Sequence, residues 1–428
     1  MNNMYLSDRT TIAVIGLGYV GLPLAMLFAK NGFKVIGFDR DLQKLAYLRQ
    51  GKSYIDDVSD SEVHDNLNKG TFEVAGQYEK VRQVNACILC LPTPLNEHRA
   101  PDLSYVQSAI RDMSAHVSPG QLIVLESSTF PGTTEDVVRP LLEKNGHKVG
   151  VDIYLGYSPE RINPGNKEYD IADIPKVVSG VTDQCKERVT QLYGQVFTKL
   201  VQVSSPTIAE MTKILENAQR FVNISLMNEL AICCEQMGID IWEVIEAAKT
   251  KPYGFTPYYP GPGIGGHCIP VDPLYFLWKA RQHHQNVKMI ETAKDVNDKM
   301  PDYIVQRILK LLIKRNNDMR DRHVLLVGMT YKKDVTDVRE SVSIPIFEKL
   351  LKQNIIVSYH DPLVKHVNVG NQTYTSVALT RGRLKKSDCV VILTDHSFLP
   401  YDDIIQFAPL VFDTRNAIKE TYAHVMRL

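Results

Sequence analysis

The residues best suited to chemistry lie in one glycine- and proline-rich stretch, residues 258–272. It holds four glycines and three prolines in fifteen residues, too many for the interior of a helix or a central strand. Cys268 precedes Pro270, a residue type that fits the first turn of a helix. A thiol at a helix N-terminus is a potential nucleophile, because the unpaired amides and the helix dipole stabilise its thiolate. Asp272 would then lie on the same helix face, which predicts a catalytic loop; the alternative is a surface turn with an incidental thiol.

Length and composition limit the kinds of protein that can carry this loop. The 428 residues are enough for two or three domains, and a 44% hydrophobic composition with 23% charged residues is typical of a globular protein. The 49 basic residues balance the 49 acidic ones, so nothing indicates binding to nucleic acid or a membrane surface. No apolar run approaches the ~18 residues of a membrane span, and there is no signal-peptide pattern. Seven cysteines without framework spacing predict a reducing cytoplasm and no metal site.

A dinucleotide fingerprint lies near the start of the chain. The apolar run Thr11–Ile15 predicts a buried strand, and it leads into a G-x-G-x-x-G turn and a helix over 22–30. The next strand, 34–38, ends at Asp39, which lies 18 positions after the last glycine of the turn. This is the context that the fingerprint requires. The pyrophosphate would sit on the helix N-terminus, and Asp39 would accept from a ribose hydroxyl, favouring NAD over NADP. Arg40, the next residue, is a cation that could bind a 2′-phosphate, which would favour NADP. We expect cofactor contacts from Gly16, Gly18, Tyr19, Val20, Gly21, Asp39 and Arg40.

Two further predicted strands, 86–91 and 122–125, end in small or polar residues. Ligands of open α/β sheets bind beyond the carboxyl ends of the strands, so Thr93 and Thr129 are expected near the nicotinamide half of the cofactor. Thr129 could also cap the following helix. Cys87 and Cys90 form a C-x-x-C, but residues three apart in a strand point to opposite faces, so we predict core positions for both.

A candidate substrate loop follows the predicted strand 154–157. It contains Glu160, Arg161 and Asn163 between prolines. Its position at a strand end predicts a binding loop, and the alternative is an exposed charged turn.

A long helix is predicted over residues 207–237, and Gly238 is a candidate cap at its end. Thirty-one residues span about 46 Å, more than one domain needs, so the helix links domains or packs on a partner subunit. Its apolar stripe consists of Ile208, Met211, Leu215, Ala218, Val222, Leu226 and Leu230. A polar line on another face consists of Glu210, Lys213, Asn217 and Arg220. Lys213 and Asn217 are candidates to donate to a developing oxyanion.

A second α/β pattern begins with a strand at 323–327, and strands at 355–359, 390–393 and 410–412 come after it. The turn after its first strand, at Gly328, lacks the other two glycines of the fingerprint, which argues against a second NAD. Lys332, Lys333 and Arg339 come after that turn and suit the phosphates of a nucleotide-linked substrate; the alternative is a solvated charge cluster.

Together these residues resemble the UDP-sugar 6-dehydrogenase family over nearly the whole chain. The motifs are Gly16–Gly21, Glu126–Thr129 with 131–133, Ser158–Gly165, Glu210–Asn217, Pro260–Asp272 and Tyr331–Ser341. The resemblance implies two Rossmann-like doubly wound α/β domains joined by a long central helix. It implies an NAD domain at 1–203, a central domain with the dimerisation helix at 204–316, and a UDP-sugar domain at 317–428. It also implies a homodimer or a higher oligomer.

The resemblance further implies a reaction and residue roles. The family oxidises the 6-hydroxymethyl of a UDP-hexose to a carboxylate with two NAD, and it retains the aldehyde as a cysteine adduct. By this resemblance Cys268 is the nucleophile, Lys213 and Asn217 stabilise the oxyanion, and Thr129, Asp272 and a water transfer protons. Glu160 assists hydrolysis of a thioester. The substrate would contact Glu160, Arg161, Asn163, Lys213, Asn217, Tyr258, Tyr259, Gly265 and Lys332, while Thr93, Thr129 and Arg339 face the cofactor.

The residues around Cys268 depart from the form usual in UDP-glucose enzymes. Those enzymes have Ser before the Cys and Lys before the Asp, whereas this chain has His267 and Val271, with Pro273 after the Asp. This form resembles the branch that acts on UDP-N-acetylhexosamines, UDP-GlcNAc or UDP-ManNAc, and UDP-glucose is the alternative. A two-electron hydroxyacid dehydrogenase and a non-enzymatic nucleotide sensor are more distant alternatives, because neither explains the Cys268 loop.

Overall fold

The chain divides into two compact units. The computed structural model describes residues 5, 8–161, 169–315 and 321–428. The first unit comprises Met1–Glu216 and Leu274–Gln285, and the second comprises Asn217–Pro273 and Asn286–Leu428. Within the ranges that the structure describes, no helix is long and apolar enough to cross a membrane.

The first unit is built on an eight-stranded sheet. Its strands are β1 (Thr11–Ile15), β2 (Lys34–Phe38), β3 (Phe72–Ala75), β4 (Ala86–Leu89), β5 (Leu122–Leu125), β6 (Tyr154–Tyr157), β7 (Lys176–Gly180) and β8 (Leu200–Gln202). The order is β3-β2-β1-β4-β5-β6-β7-β8, and only the β6–β7 pairing is antiparallel among these. The first six strands have the order of the doubly wound dinucleotide fold, confirming the predicted class.

Helices cover both faces of this sheet. They are α1 (Gly21–Lys30), α2 (Leu42–Arg49), α3 (Asp60–Lys69), α4 (Ser104–Ser114), α5 (Arg139–Glu143) and α6 (Asp183–Tyr193), with short 3₁₀ turns at Tyr78–Gln83 and Ile171–Asp173 and a π-helical turn at Thr134–Val138. Cys87 and Cys90 are both buried, in the cores on opposite faces of the sheet. Burial raises the pKa of Cys87 to about 12. The prediction that the C-x-x-C is core is confirmed.

The long predicted helix is α7 (Pro206–Met237), and the division between the units falls inside it. Pro206 suits a first helical position. Gly238 ends the helix with φ of +69°, and Ile239 N–H donates to the Cys234 carbonyl at 2.9 Å, so the predicted glycine cap is present. Four residues of the predicted apolar stripe are exposed in the single chain, at 39–61%: Ile208, Leu215, Leu226 and Leu230.

The second unit is built on a five-stranded parallel sheet. Its elements, with the helices that complete the chain, are α8 (Ile241–Lys249), α9 (Asp272–Gln282, which continues into the first unit), α10 (Lys288–Arg315), β9 (His323–Val327), α11 (Ser343–Lys352), β10 (Ile356–His360), β11 (His366–Val369), β12 (Gln372–Thr375), α12 (Arg381–Lys386), β13 (Cys389–Ile392), α13 (Tyr401–Phe407), β14 (Val411–Asp413) and β15 (Val425–Arg427). The order is β10-β9-β13-β14-β15, and β11 and β12 form an antiparallel hairpin. This is the second common doubly wound order. Three of these strands, β10, β13 and β14, were predicted at 355–359, 390–393 and 410–412. Each begins one residue away from its predicted start.

Candidate active site

Three glycines shape the turn between β1 and α1. Gly16 has φ of +91°, and a Cβ there would lie 2.4 Å from the Cys90 carbonyl oxygen. A Cβ on Gly21 would lie 1.8 Å from the Gly16 oxygen, whereas one on Gly18 would meet nothing within 4 Å. Gly16 and Gly21 are therefore required by the fold, and Gly18 keeps open the space at the N-terminus of α1, a position that suits a pyrophosphate.

Asp39 lies where a cofactor ribose is expected. Its carboxylate accepts from Leu17 N–H at 3.0 Å and from Asp41 N–H at 2.9 Å, so it is fixed against the glycine turn. A cavity at the ends of β2 and β3 is lined by Phe38, Asp39, Arg40, Gly76, Gln77, Tyr78, Glu79, Asp112 and His116. Arg40 turns toward α4, where it donates to Asp112 at 2.5 Å. These residues fit the ribose and base of NAD, which supplies a hydride acceptor when bound.

Both predicted threonines lie beyond the carboxyl ends of neighbouring strands. Thr93 donates its hydroxyl to the Ser128 carbonyl at 2.6 Å. Thr129 is buried, and its hydroxyl donates to the Phe130 carbonyl at 3.3 Å. The edge of the sheet that carries the glycine turn therefore also carries these two hydroxyls.

Glu160 and Lys213 form a buried pair in the first unit. Lys213 Nζ donates to the Glu160 carbonyl at 2.5 Å and lies 3.3 Å from its carboxylate. Burial raises the pKa of Glu160, although the nearby Lys213 and Lys176 ammonium groups oppose that shift. Arg161 donates to the Pro175 carbonyl and to Glu216. Asn163 lies outside the described residues.

Asn217 and Asp272 are joined in the second unit. Asn217 Nδ2 donates to Asp272 Oδ2 at 2.6 Å, and both side chains are buried. The Cys268 carbonyl accepts from Asp272 N–H at 2.9 Å and from Val271 N–H at 3.1 Å. Helix α9 begins at Asp272, so Pro270 lies in the turn that leads into the helix and not in its first turn. The half-buried Cys268 thiol still lies one turn before a helix N-terminus.

The glycines of the Cys268 loop pack against another segment of the second unit. A Cβ on Gly265 would lie 2.8 Å from the Glu340 oxygen, and one on Gly266 would lie 2.9 Å from the Tyr331 ring. His267 Nε2 lies 2.9 Å from Asp337. These glycines therefore permit close approach of the chain to itself, and the predicted ligand contact of Gly265 stays a prediction.

The family is decided by comparison with known proteins. Models of the UDP-glucose/GDP-mannose dehydrogenase family match three consecutive parts of the chain: the NAD binding domain matches residues 10–197, the central domain 207–299 and the UDP binding domain 325–420. The chain belongs to this family. It is an NAD-dependent oxidoreductase with a UDP-sugar substrate, and the predicted domain limits at 203 and 316 remain predictions.

Relatives and solved structures agree over most of the chain. A UDP-N-acetyl-D-glucosamine 6-dehydrogenase of Pseudomonas aeruginosa is 39% identical over 355 residues, covering 82% of this chain and 83% of its own. The structure of a UDP-D-ManNAc dehydrogenase from Pyrococcus horikoshii has a TM-score of 0.88 at 30% identity and covers 97% of this chain and 98% of its own. A UDP-N-acetyl-mannosamine dehydrogenase from Staphylococcus aureus has a TM-score of 0.84 at 32% identity and covers 98% of both chains.

Four further predicted site residues of this dehydrogenase lie in the second unit, whereas Tyr19 and Val20 lie in the glycine turn of the first. Tyr258 donates its hydroxyl to Gln219 on α7 at 2.7 Å. Tyr259 donates to Glu246 at 2.7 Å and stacks on Trp242. Lys332 is half-buried in the turn after β9, and Arg339 donates to Asp337.

Sequence reasoning missed Lys176, which supports the Glu160 loop of the dehydrogenase. Lys176 Nζ donates to Glu126 at 2.6 Å and to the Pro159 carbonyl at 3.3 Å, and it is buried. Tyr193 also donates to Glu126. Glu126 directly follows β5, which marks it as a strand-end residue, but Lys176 has no local signal because its partner is fifty positions away.

Proposed function

We propose that the chain oxidises the C6 hydroxymethyl of a UDP-N-acetylhexosamine to a carboxylate, with two NAD consumed per sugar. The observation that carries the proposal is the position of Cys268, one turn before the N-terminus of α9, where the Asn217–Asp272 pair is buried. A thiolate is favoured at such a position. Alcohol to acid is a four-electron change, so a nucleophile that retains the aldehyde between two hydride transfers is required.

The chemistry divides into three steps. In the first, C6 loses a hydride to NAD and its hydroxyl proton to a base, giving an aldehyde. The Cys268 thiolate adds to this aldehyde, and the resulting thiohemiacetal loses a second hydride to a second NAD, giving a thioester. Water then cleaves the C–S bond, which releases the carboxylate and restores the thiol.

Each step has residues suited to it. Lys213 and Asn217, one helical turn apart on α7, donate to the C6 oxyanion. Thr129, Asp272 and a water exchange protons with the hydroxyl. Glu160 receives a proton during thioester hydrolysis, a role supported by burial, which raises its pKa and makes it a stronger base.

The nucleotide end of the substrate has its own contacts. Lys332 reaches the substrate phosphates, and Arg339 lies near the cofactor or the phosphates. Tyr258, Tyr259, Arg161, Asn163 and Gly265 complete the substrate contacts.

The N-acetylated substrate is supported by the relatives. Proteins named for UDP-N-acetylglucosamine and for UDP-N-acetylmannosamine both match most of the chain. His267 and Val271 in place of Ser and Lys agree with that branch. UDP-glucose is the second candidate, because a UDP-glucose dehydrogenase from Pyrobaculum islandicum shares the fold with a TM-score of 0.85 at 26% identity.

We further propose a homodimer through α7 and a reducing cytoplasm. The apolar stripe of α7 offers a face for a second copy of the chain, and its most exposed residue is Leu215, at 61% in the single chain. A reducing compartment would keep the Cys268 thiol in the reduced form that the proposed reaction needs.

The test is a panel of UDP-GlcNAc, UDP-ManNAc and UDP-glucose with NAD, monitored by NADH absorbance. We expect two NADH per N-acetylated sugar; a ratio of one would favour the two-electron alternative, and binding without turnover would favour a sensor. Cys268→Ser should abolish turnover of the sugar. Cys389→Ser, which changes a buried thiol at the start of β13 and outside the Cys268 loop, is the matched control and should retain turnover.

A further inference from the structure

The turn after β9 is held by buried side chains of the second unit. Gly328 has φ of +86°, and its N–H donates to the His360 carbonyl at 2.9 Å. Met329 N–H donates to Asp361 Oδ2 at 2.6 Å. Asp361 follows β10 and is 2% exposed, so its carboxylate serves the protein itself rather than a ligand.

His396, which follows β13, is fully buried beside this turn. Its Nδ1 accepts from Asp334 N–H at 2.9 Å, so the ring proton must be on Nε2. Nε2 lies 3.2 Å from Asp361 Oδ2 and 3.4 Å from Thr330 Oγ1, both of which can accept it. The imidazole therefore joins two ends of the same turn in one tautomer.

The two residues that His396 contacts in this turn, Thr330 and Asp334, lie on either side of Lys332 in the chain. Thr330 donates its hydroxyl to the Lys332 carbonyl at 2.7 Å, and Thr394 donates to the Thr330 carbonyl at 2.7 Å. On the other side, Asp334 accepts from Ser397 N–H at 2.9 Å. The backbone on both sides of Lys332 is thus anchored to the loop after β13.

We propose that His396 is a positioning residue for the UDP-sugar: it holds the 328–334 turn so that Lys332 meets the substrate phosphates. The inference rests on the role proposed above for Lys332. An unanchored turn would have to be ordered when the ligand binds, and that cost lowers affinity for the nucleotide without altering the NAD site.

The test uses UDP as the probe, titrated by calorimetry into the full chain and its variants. His396→Leu removes both bonds and should weaken UDP binding at least tenfold, with NAD affinity unchanged within twofold. His396→Asn keeps an acceptor near the Nδ1 position and should recover part of the loss. His323→Gln is the matched control, because His323 begins β9 at the opposite edge of the sheet. Equal UDP affinity in His396→Leu and wild type would overturn the proposal.

Two readouts separate this inference from the proposed function. If wild type turns over no UDP-sugar and does not bind UDP, the proposed function fails. The structural premise is still tested by NMR of ¹⁵N-histidine-labelled protein, where an Nδ1–H tautomer of His396 would overturn it. Amide exchange at Asp334 should accelerate more than tenfold in His396→Leu, and unchanged exchange would also overturn it.

Discussion

The two units build the same turn and use it differently. In each, a glycine with positive φ comes after the first strand of the sheet, Gly16 at +91° and Gly328 at +86°. The glycine N–H donates to the carbonyl of the last residue in the neighbouring strand. The next backbone N–H donates to the carboxylate of the aspartate just beyond that strand, Asp39 or Asp361. This strand–turn–strand arrangement is therefore a property of the fold.

The segment after the turn differs between the units, and we expect it to determine which ligand each unit binds. After Gly16, two more glycines bring the N-terminus of α1 directly to the turn, and the Asp39 side chain remains 12% exposed there. After Gly328 the chain has no glycine before α11 begins at Ser343. Asp361 is buried against His396, and the turn carries the half-buried Lys332. On the roles proposed above, backbone amides bind the phosphates in one unit and an anchored lysine side chain binds them in the other.

The largest expected effect is at Gly21. Gly21→Ala places a Cβ 1.8 Å from the Gly16 oxygen, so the turn must open; we expect NAD affinity to fall at least 100-fold and stability to fall by about 1–3 kcal/mol. Gly18→Ala meets open space and should leave the melting temperature unchanged while NAD affinity falls about tenfold. Thermal melts without ligand and NADH fluorescence titrations measure both. If Gly18→Ala binds NAD as tightly as wild type does, the open space beside Gly18 is not needed for the pyrophosphate.

Gly328 provides the matching test in the second unit. Gly328→Ala strains a positive φ and places a Cβ 2.6 Å from the Thr394 carbonyl oxygen, so UDP affinity should fall about tenfold or more while NAD affinity is retained. Gly370→Ala is the control, because Gly370 also has positive φ but no atom within 4 Å of its Cβ. It should destabilise the chain slightly and leave UDP binding intact. Parallel calorimetric titrations with UDP and NAD check both variants.

The buried carboxylates of the two units differ in their response to pH. Burial raises the pKa of Glu210 to about 7, although it accepts from Gly132 N–H and from Thr134. The pKa of Asp361 is shifted down, because its bonds with His396 and Met329 outweigh burial. Glu210 therefore stabilises the fold below its unfolded pKa, and that stability is lost as pH rises to about 7; the contribution of Asp361 is constant in this window and is lost only in acid.

Glu210→Gln tests the sign of this response. Urea denaturation should show that wild type loses about 1–3 kcal/mol between pH 4.5 and pH 7.5 relative to the variant. A wild-type curve parallel to that of Glu210→Gln would show that the carboxylate is already ionised at the lower pH.

Local patterns predicted the first unit well. A strand, a turn and a strand within thirty residues are set by neighbouring residues, so the glycine turn and Asp39 could be located from their spacing. The same rule applied to the second unit would have found Asp361, which comes after β10 as Asp39 comes after β2. Contacts between distant residues could not be predicted: nothing near His396 indicates that it accepts from Asp334. The stripe on α7 was evident, but hydrophobic spacing does not tell whether a partner covers it.

The smallest expected effect concerns the cofactor phosphate. The Arg40 guanidinium could bind the 2′-phosphate of NADP. It instead donates to Asp112 at 2.5 Å and to Ser108 at 2.7 Å, which hold it against α4. The pair is exposed, and such pairs contribute up to about 1 kcal/mol, or roughly a fivefold effect. We therefore expect Asp112→Asn to raise kcat/KM with NADP about fivefold or less, and that with NAD to stay within twofold. In an Arg40→Ala background the same substitution should give no gain. If kcat/KM with NADP still rises without Arg40, the Asp112 charge repels the phosphate directly. The contrast between the units would then depend on Asp39 and the glycine turn alone.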